Sequence, residues 1–231
     1  MLRLNKFISS HSKYSRRKAD ELIEERQVTI NGKTAELGTK VDPENDSVKV
    51  KGTLVQQTKT RVYYALHKPK GYITTRNDEH DRKTVMELMP DIENLKPVGR
   101  LDMDTEGLLL LSNDGEFINR ITHPKYECEK EYFVIIKGKL TDIEQKNLQD
   151  GVRIDGKKTS PAKIYIVKED ESTTTLTMKI HEGRNRQIRK MFAQVKHYVK
   201  YLQRISIGKI KLGHLKKGAY RKLTQKEADA Y

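Results

Sequence analysis

Two stretches hold residues whose types and spacing could do chemistry. In Gly99-Arg100-Leu101-Asp102-Met103-Asp104-Thr105-Glu106-Gly107, three carboxylates and an arginine lie between glycines. A loop fixed by a buried strand is a common place for catalytic groups. The pair Asp102-x-Asp104 could also hold a hard divalent cation, although that spacing is common by chance. An acidic surface turn is the bland alternative. The second stretch is Glu182-Gly183-Arg184-Asn185-Arg186-Gln187-Ile188-Arg189-Lys190-Met191-Phe192. Its guanidinium groups can grip phosphates or keep a carboxylate ionised, and a solvated basic helix is the other reading. The seven histidines are scattered without metal-ligand spacing and are read as structural or surface residues. The single cysteine, Cys128, allows neither an internal disulfide nor a cysteine-rich zinc site.

The elements around these stretches must position them. Leu108 to Leu111 is a continuous apolar run, read as a buried strand that anchors the acidic loop before it. Asn185 is expected to cap a helix whose apolar stripe is Ile188, Met191, Phe192 and Val195. Val62 to Leu66, Tyr132 to Ile136 and Leu176 to Ile180 read as further strands, the last by alternation. Thr141 and Thr224 each precede a glutamate at capping-box spacing, and Gly151 is expected to end the first of those helices. Toward the amino end, Ser15 can cap a helix carrying Ala19, Leu22 and Ile23. Val28-Thr29-Ile30 then runs into the turn signal Asn31-Gly32, and Val48-Lys49-Val50 is a second short strand. The polar stretch 51–61 has no periodicity and is read as a linker. These patterns predict a small domain over 1–60 and a larger one over 62–231. Strands and helices mix without a βαβ rhythm, so the fold class is α+β with a mostly antiparallel or mixed sheet and flanking helices.

With 231 residues, 35% of them hydrophobic and none tryptophan, the chain is long enough for one or two modest cores. No apolar run approaches a membrane span and the amino end lacks a signal peptide, so the expectation is a cytosolic protein with no membrane association. The net charge of +14 favours a polyanionic partner. Most of the excess lies between His181 and Leu223, where thirteen Lys and Arg face one acid, Glu182. That concentration favours nucleic acid over a merely solvated basic surface.

The ordered set Gly99-Arg100-Leu101-Asp102, Asp104-Thr105, Gly107-Leu108-Leu109-Leu110, Glu129-Lys130-Glu131-Tyr132 and Glu182 to Met191 resembles the RsuA/RluB/RluE/RluF family of bacterial rRNA pseudouridine synthases. The amino end, Arg3-Leu4-Asn5-Lys6-Phe7-Ile8 and Ser15-Arg16-Arg17-Lys18-Ala19 through Gly32, is similar to the S4 RNA-binding fold that family carries. The resemblance implies cleavage of the uridine N1–C1′ bond, rotation of the base and rejoining through C5. It implies no cofactor and no metal.

By motif, Asp102 is the essential carboxylate, acting either at C1′ as a nucleophile or on the C2′ proton as a base. Arg189 is expected to pair with it, and Tyr132 to lie against the uracil. Arg100 is expected to fill the space left by a flipped-out nucleotide. RNA contacts are assigned to Arg3, Lys6, Arg16, Arg17 and Lys18 in the amino module, and to Arg184, Arg186 and Lys190 in the basic string. Asp104 is read as loop structure. Lys196 stands where the family usually has a glycine, so a positive φ there would need a different helix end. The segments Arg3 to Lys6, Thr74-Thr75-Arg76-Asn77-Asp78 and Thr122-His123-Pro124 point to large-subunit (23S) rather than small-subunit (16S) rRNA, bound by a monomer. The competing classes are a non-catalytic RNA-binding assembly factor and a metal-dependent nuclease or glycosyltransferase using Asp102 and Asp104.

Overall fold

The computed structural model describes residues 1–56, 60–76 and 78–231. They divide into two compact units. One comprises Met1–Val62 with Asp91–Lys96 and Ser112–Gly115, and the other holds Tyr63–Pro90, Pro97–Leu111 and Glu116–Tyr231.

The amino-terminal unit begins with β1 (Leu2–Arg3), α1 (Leu4–His11) and α2 (Arg16–Glu24). Ser15 caps α2, its hydroxyl accepting from the Lys18 amide. β2 (Val28–Ile30), β3 (Lys33–Thr34), β4 (Lys40–Val41), β5 (Val48–Val50) and β6 (Thr53–Leu54) follow. Strands β3-β2-β5-β6 form one antiparallel sheet, and β1 pairs with β4. Asn31 and Gly32 both have positive φ, as the tight β2–β3 hairpin requires. The helices bury Leu4, Phe7, Ile8, Ala19, Leu22 and Ile23 against Val28, Val48 and Val50. The start of the expected linker is corrected here. Lys51 and Gly52 turn the chain, Thr53–Leu54 pairs with β5, and Val55 is buried in this core. A lysine and a glycine both at positive φ make a second hairpin turn, a signal that the polar composition hides. Gln57, Thr58 and Lys59 of that linker lie outside the described residues.

The larger unit is a nine-stranded sheet. In chain order its elements are β7 (Tyr63–Lys68), β8 (Lys96–Val98), β9 (Glu106–Ser112), α3 (Gly115–Thr122), β10 (Lys130–Lys137), α4 (Asp142–Asp150), β11 (Arg153–Ile154), β12 (Lys157–Lys158), β13 (Lys163–Glu169), β14 (Thr173–Ile180), α5 (Gln187–Gln194), β15 (Val199–Ile207), β16 (Ile210–Lys211), β17 (Tyr220–Lys222) and α6 (Gln225–Ala228). The sheet order is β13-β14-β10-β15-β9-β7-β17, with β16 beside β15 and β8 beside β9, while β11 and β12 pair separately. The β13–β14, β14–β10 and β10–β15 pairs are antiparallel and β15–β9 is parallel. Every residue of β9 is buried, as a continuous apolar strand between two covered faces must be. β14 alternates as its sequence predicts, with Leu176, Met178 and Ile180 inward. Thr141 and Thr224 form their capping boxes, and Gly151 ends α4 at a φ of 93°.

Two details of α5 differ from expectation. Its cap is Arg186, in the left-handed region at φ 51°, rather than Asn185, and Arg186 makes no side-chain cap bond. Ahead of the helix, the Arg184 amide donates to the Gln187 side chain at 2.9 Å. At the other end, Lys196 holds the positive φ (61°), with His197 N donating to Phe192 O at 2.9 Å and Lys196 N to Ala193 O at 3.1 Å. This is a Schellman helix end built on a lysine.

Candidate active site

The acidic loop is gripped by its backbone. Lys68, at the end of β7, is fully buried and its Nζ donates to Asp102 O (3.0 Å), Thr105 O (2.9 Å) and Pro69 O (3.1 Å). Thr74 Oγ1 donates to Leu101 O and accepts from Leu101 N, and Gly71 N donates to Met103 O. Thr105 N closes the turn onto Asp102 O at 3.1 Å. These contacts engage main-chain atoms, so the Asp102 carboxylate is left to face a cavity of about 730 Å³. That volume suits a nucleotide-sized ligand.

Four elements converge on this cavity. β10 supplies Tyr132, which is 8% exposed, and β14 supplies Ile180. β15 supplies Leu202 and Arg204, and the turn before α5 supplies Arg184 and Arg186 at the rim. Arg100, exposed, lines it beside Asp102. The strands are held close at one point. Gly107 (φ 111°) is paired with Arg204, and a Cβ there would meet Arg204 O at 2.3 Å. Only glycine fits.

The expected ion pair between Arg189 and Asp102 is formed with Asp104 instead. Arg189 Nε lies 3.2 Å from Asp104 Oδ2, though not aligned for a hydrogen bond. Its other nitrogens donate to Asp104 O (3.1 Å) and Val199 O (3.0 Å). Arg186 adds a bidentate clasp on the Asp104 carboxylate at 3.0 and 2.9 Å. Burial pushes the Asp104 carboxyl up, but the Arg186 hydrogen bonds and the Arg189 and Arg186 charges outweigh it and hold it below the ordinary range. Asp104 thus ties the acidic loop to the start of α5 with both oxygens engaged.

The other candidates lie as follows. Arg184 donates to Lys157 O (3.1 Å) and Lys158 O (2.7 Å) and pairs with Glu182, while Lys190 pairs with Asp155 at 2.6 Å. Arg3, Arg16 and Arg17 are exposed and Lys6 half-buried in the amino-terminal unit, where Lys18 pairs with Glu21. Glu106, the third carboxylate of the loop, does not face the cavity. It is buried, accepts from the Tyr201 hydroxyl and pairs with Lys217 at 2.9 Å. Among the described residues, no group of three or more His, Cys, Asp or Glu could hold a metal ion. No described helix is long and apolar enough to cross a membrane.

Sequence reasoning missed Lys68 and Arg204. The first lies between a histidine and a proline and reads as loop punctuation. The second is counted with the surface charges, although it shares a strand phase with Leu202 and Ser206. That phase was the available signal, since alternate strand residues share a face.

The chain matches the family described as RNA pseudouridylate synthase over residues 62–194 and the S4 domain over residues 2–48. It is 43% identical over 229 residues to an uncharacterized RNA pseudouridine synthase of Aquifex aeolicus (strain VF5), covering 98% of this chain and 92% of that protein. It is 42% identical over 231 residues to ribosomal large subunit pseudouridine synthase B of Bacillus subtilis (strain 168), covering 98% and 94%. The dual-specificity RNA pseudouridine synthase RluF of Escherichia coli O6:H1 is 36% identical over 228 residues, with coverage of 98% and 77%. A crystal structure of a pseudouridylate synthase superposes with a TM-score of 0.71 at 33% identity, covering 99% of both chains.

Proposed function

The chain belongs to the RNA pseudouridylate synthase family, with an S4 domain at its amino end, and from that premise we propose that it isomerises specific uridines of large-subunit rRNA through Asp102. The observation that carries the assignment is the convergence of Asp102, Tyr132 and a basic rim on one cavity, with the Asp102 loop held by its backbone and by the Asp104 clasp, neither of which engages the Asp102 carboxylate. A carboxylate held this way needs no reorganisation as the reaction begins.

A uridine within folded RNA must be flipped out to reach such a cavity, at a cost of a few kcal/mol in stacking. Arg100 takes the vacated space, and Arg184 and Arg186 hold neighbouring phosphates. Asp102 then acts at the sugar, at C1′ or on the C2′ proton, and the N1–C1′ electrons leave with the uracil. The ring turns, C5 bonds to C1′ as Asp102 leaves that carbon or returns the C2′ proton, and the C5 proton is lost with help from Tyr132 while N1 takes one up. Arg189 acts through Asp104, holding the loop against α5. The amino module over 1–60, with Arg3, Lys6, Arg16, Arg17 and Lys18, grips the RNA away from the cavity. Lys190 adds to the basic surface of the catalytic domain, 62–231. The protein works in the cytoplasm as a monomer.

The large-subunit target is supported by the Bacillus subtilis relative, whose name specifies the large ribosomal subunit. Mapping pseudouridines in rRNA from cells with and without this gene tests it. Loss of one or more sites in 23S RNA is expected, and loss confined to 16S RNA would overturn the target.

A further inference from the structure

Arg204 is a buried cation with no anionic partner among the described residues. It is 3% exposed, and its Nε donates to Leu108 O at 2.8 Å. Nη1 reaches Arg100 O only at 3.5 Å, and Nη2 is buried without a hydrogen-bond partner. A guanidinium carries five donors, and leaving one unmade in a dry site is costly. The side chain lines the cavity that Asp102 faces. It is located from both sides, opposite Tyr132 on β10 and opposite Gly107 on β9, five residues beyond Asp102. Lys130, also lining the cavity, is pushed below the ordinary lysine range by burial and by the Arg204 charge. The other carboxylate lining it, Glu182, is engaged by Ser160 N, Gln187 and Arg184. The cavity wall therefore carries a guanidinium with a donor that no protein group uses.

We propose that Arg204 binds a carbonyl oxygen of the flipped uracil and stabilises the uracilate formed when the N1–C1′ bond breaks. The inference rests on the synthase reading of this cavity and extends it to the base. Phosphates stay with the RNA backbone at the rim, where Arg100, Arg184 and Arg186 stand. When N1–C1′ breaks, both electrons leave with the ring and the charge spreads onto O2 and O4. Turning the ring about its N3–C6 axis exchanges N1 with C5 and also O2 with O4. One fixed donor therefore meets a carbonyl oxygen before and after the turn. C5 then bonds to C1′ as Asp102 leaves that carbon or returns the C2′ proton, the C5 proton leaves and N1 takes one up, so the product is an isomer of the substrate.

The test compares single-turnover loss of N-glycosidic uridine in rRNA transcripts of both subunits, made with either uridine or 5-fluorouridine. Fluorine at C5 withdraws electrons and lessens the need for an external cation. Arg204→Met is expected to slow the uridine transcripts about 100- to 1,000-fold, the usual effect of removing one preorganised donor. Its loss on 5-fluorouridine transcripts should be at least tenfold smaller, and Arg204→Lys should fall between Arg204→Met and wild type. The ratio of the two rates is internal to each preparation, so partial misfolding cancels. An unchanged ratio, or a uridine rate within tenfold of wild type, would overturn the role of Arg204. If wild-type protein converts neither transcript, the rRNA reading fails first and the inference falls with it.

Discussion

Lys68 shows how one side chain can set the chemistry without touching the substrate. Its ammonium has three donors and meets three carbonyls, two of them in the Asp102 loop. Burial brings it down to about 8, with Asp102 and Asp104 opposing that fall. Above that pH a neutral amine has two donors for three acceptors, so the loop loosens. Turnover is expected to decline on an alkaline limb centred near pH 8. Stability should move the other way. A lysine in the unfolded chain stays protonated to about 10.4, so the unfolded state binds more protons between these values and stability rises with pH. Single-turnover rates and melting temperatures in the same buffers check this, and parallel declines would refute it. At this scale the cavity residues Asp102, Tyr132 and Arg100 were legible, because motif order brings them to one site. The partner of Arg189 was not, since neighbouring turn residues such as Asp102 and Asp104 point their carboxylates to different groups.

The elements carry the site through close strand contact and unusual caps. Gly107 lets β9 approach β15, and that contact sets Arg204 against the loop strand. The end of α5 is a place where the chain is less stable than it could be. Lys196 sits at φ 61°, where a side chain costs about 1–2 kcal/mol. Lys196→Gly is expected to stabilise the protein by about 1 kcal/mol, less than the full strain because glycine is freer when unfolded. Denaturant midpoints measure it, and a destabilised variant would contradict the account. Strands and capping boxes were readable, since Leu108 to Leu111, the alternation of Leu176, Met178 and Ile180, and Thr141 and Thr224 are local signals. Short hairpin strands such as Thr53–Leu54 were not. Two residues carry no periodicity, and only the positive φ at Lys51 and Gly52 reveals the turn. The cap at Arg186 was hidden because an arginine at positive φ with no side-chain cap bond leaves no capping signature in the sequence.

For the whole molecule, a net charge of +14 favours salt-dependent attraction to a polyanion such as RNA. Asp91–Lys96 and Ser112–Gly115 belong to the amino-terminal unit, where Lys96 Nζ donates to Ser9 O at 2.7 Å. Deleting residues 1–58 therefore removes more than an RNA-binding arm. The remaining chain is expected to melt at lower temperature, bind rRNA at least tenfold more weakly with a flatter salt slope, and keep turnover at saturating RNA within about tenfold. Calorimetry and filter binding check it, and unchanged affinity would refute the role of the amino module. The central claim is that the carboxylate of Asp102 performs the reaction. Its most direct test is pseudouridine formation by Asp102→Asn under single-turnover conditions on rRNA that wild-type protein modifies, with RNA affinity measured in parallel. The account predicts affinity within about threefold of wild type and no detectable product. A rate within tenfold of wild type would contradict it.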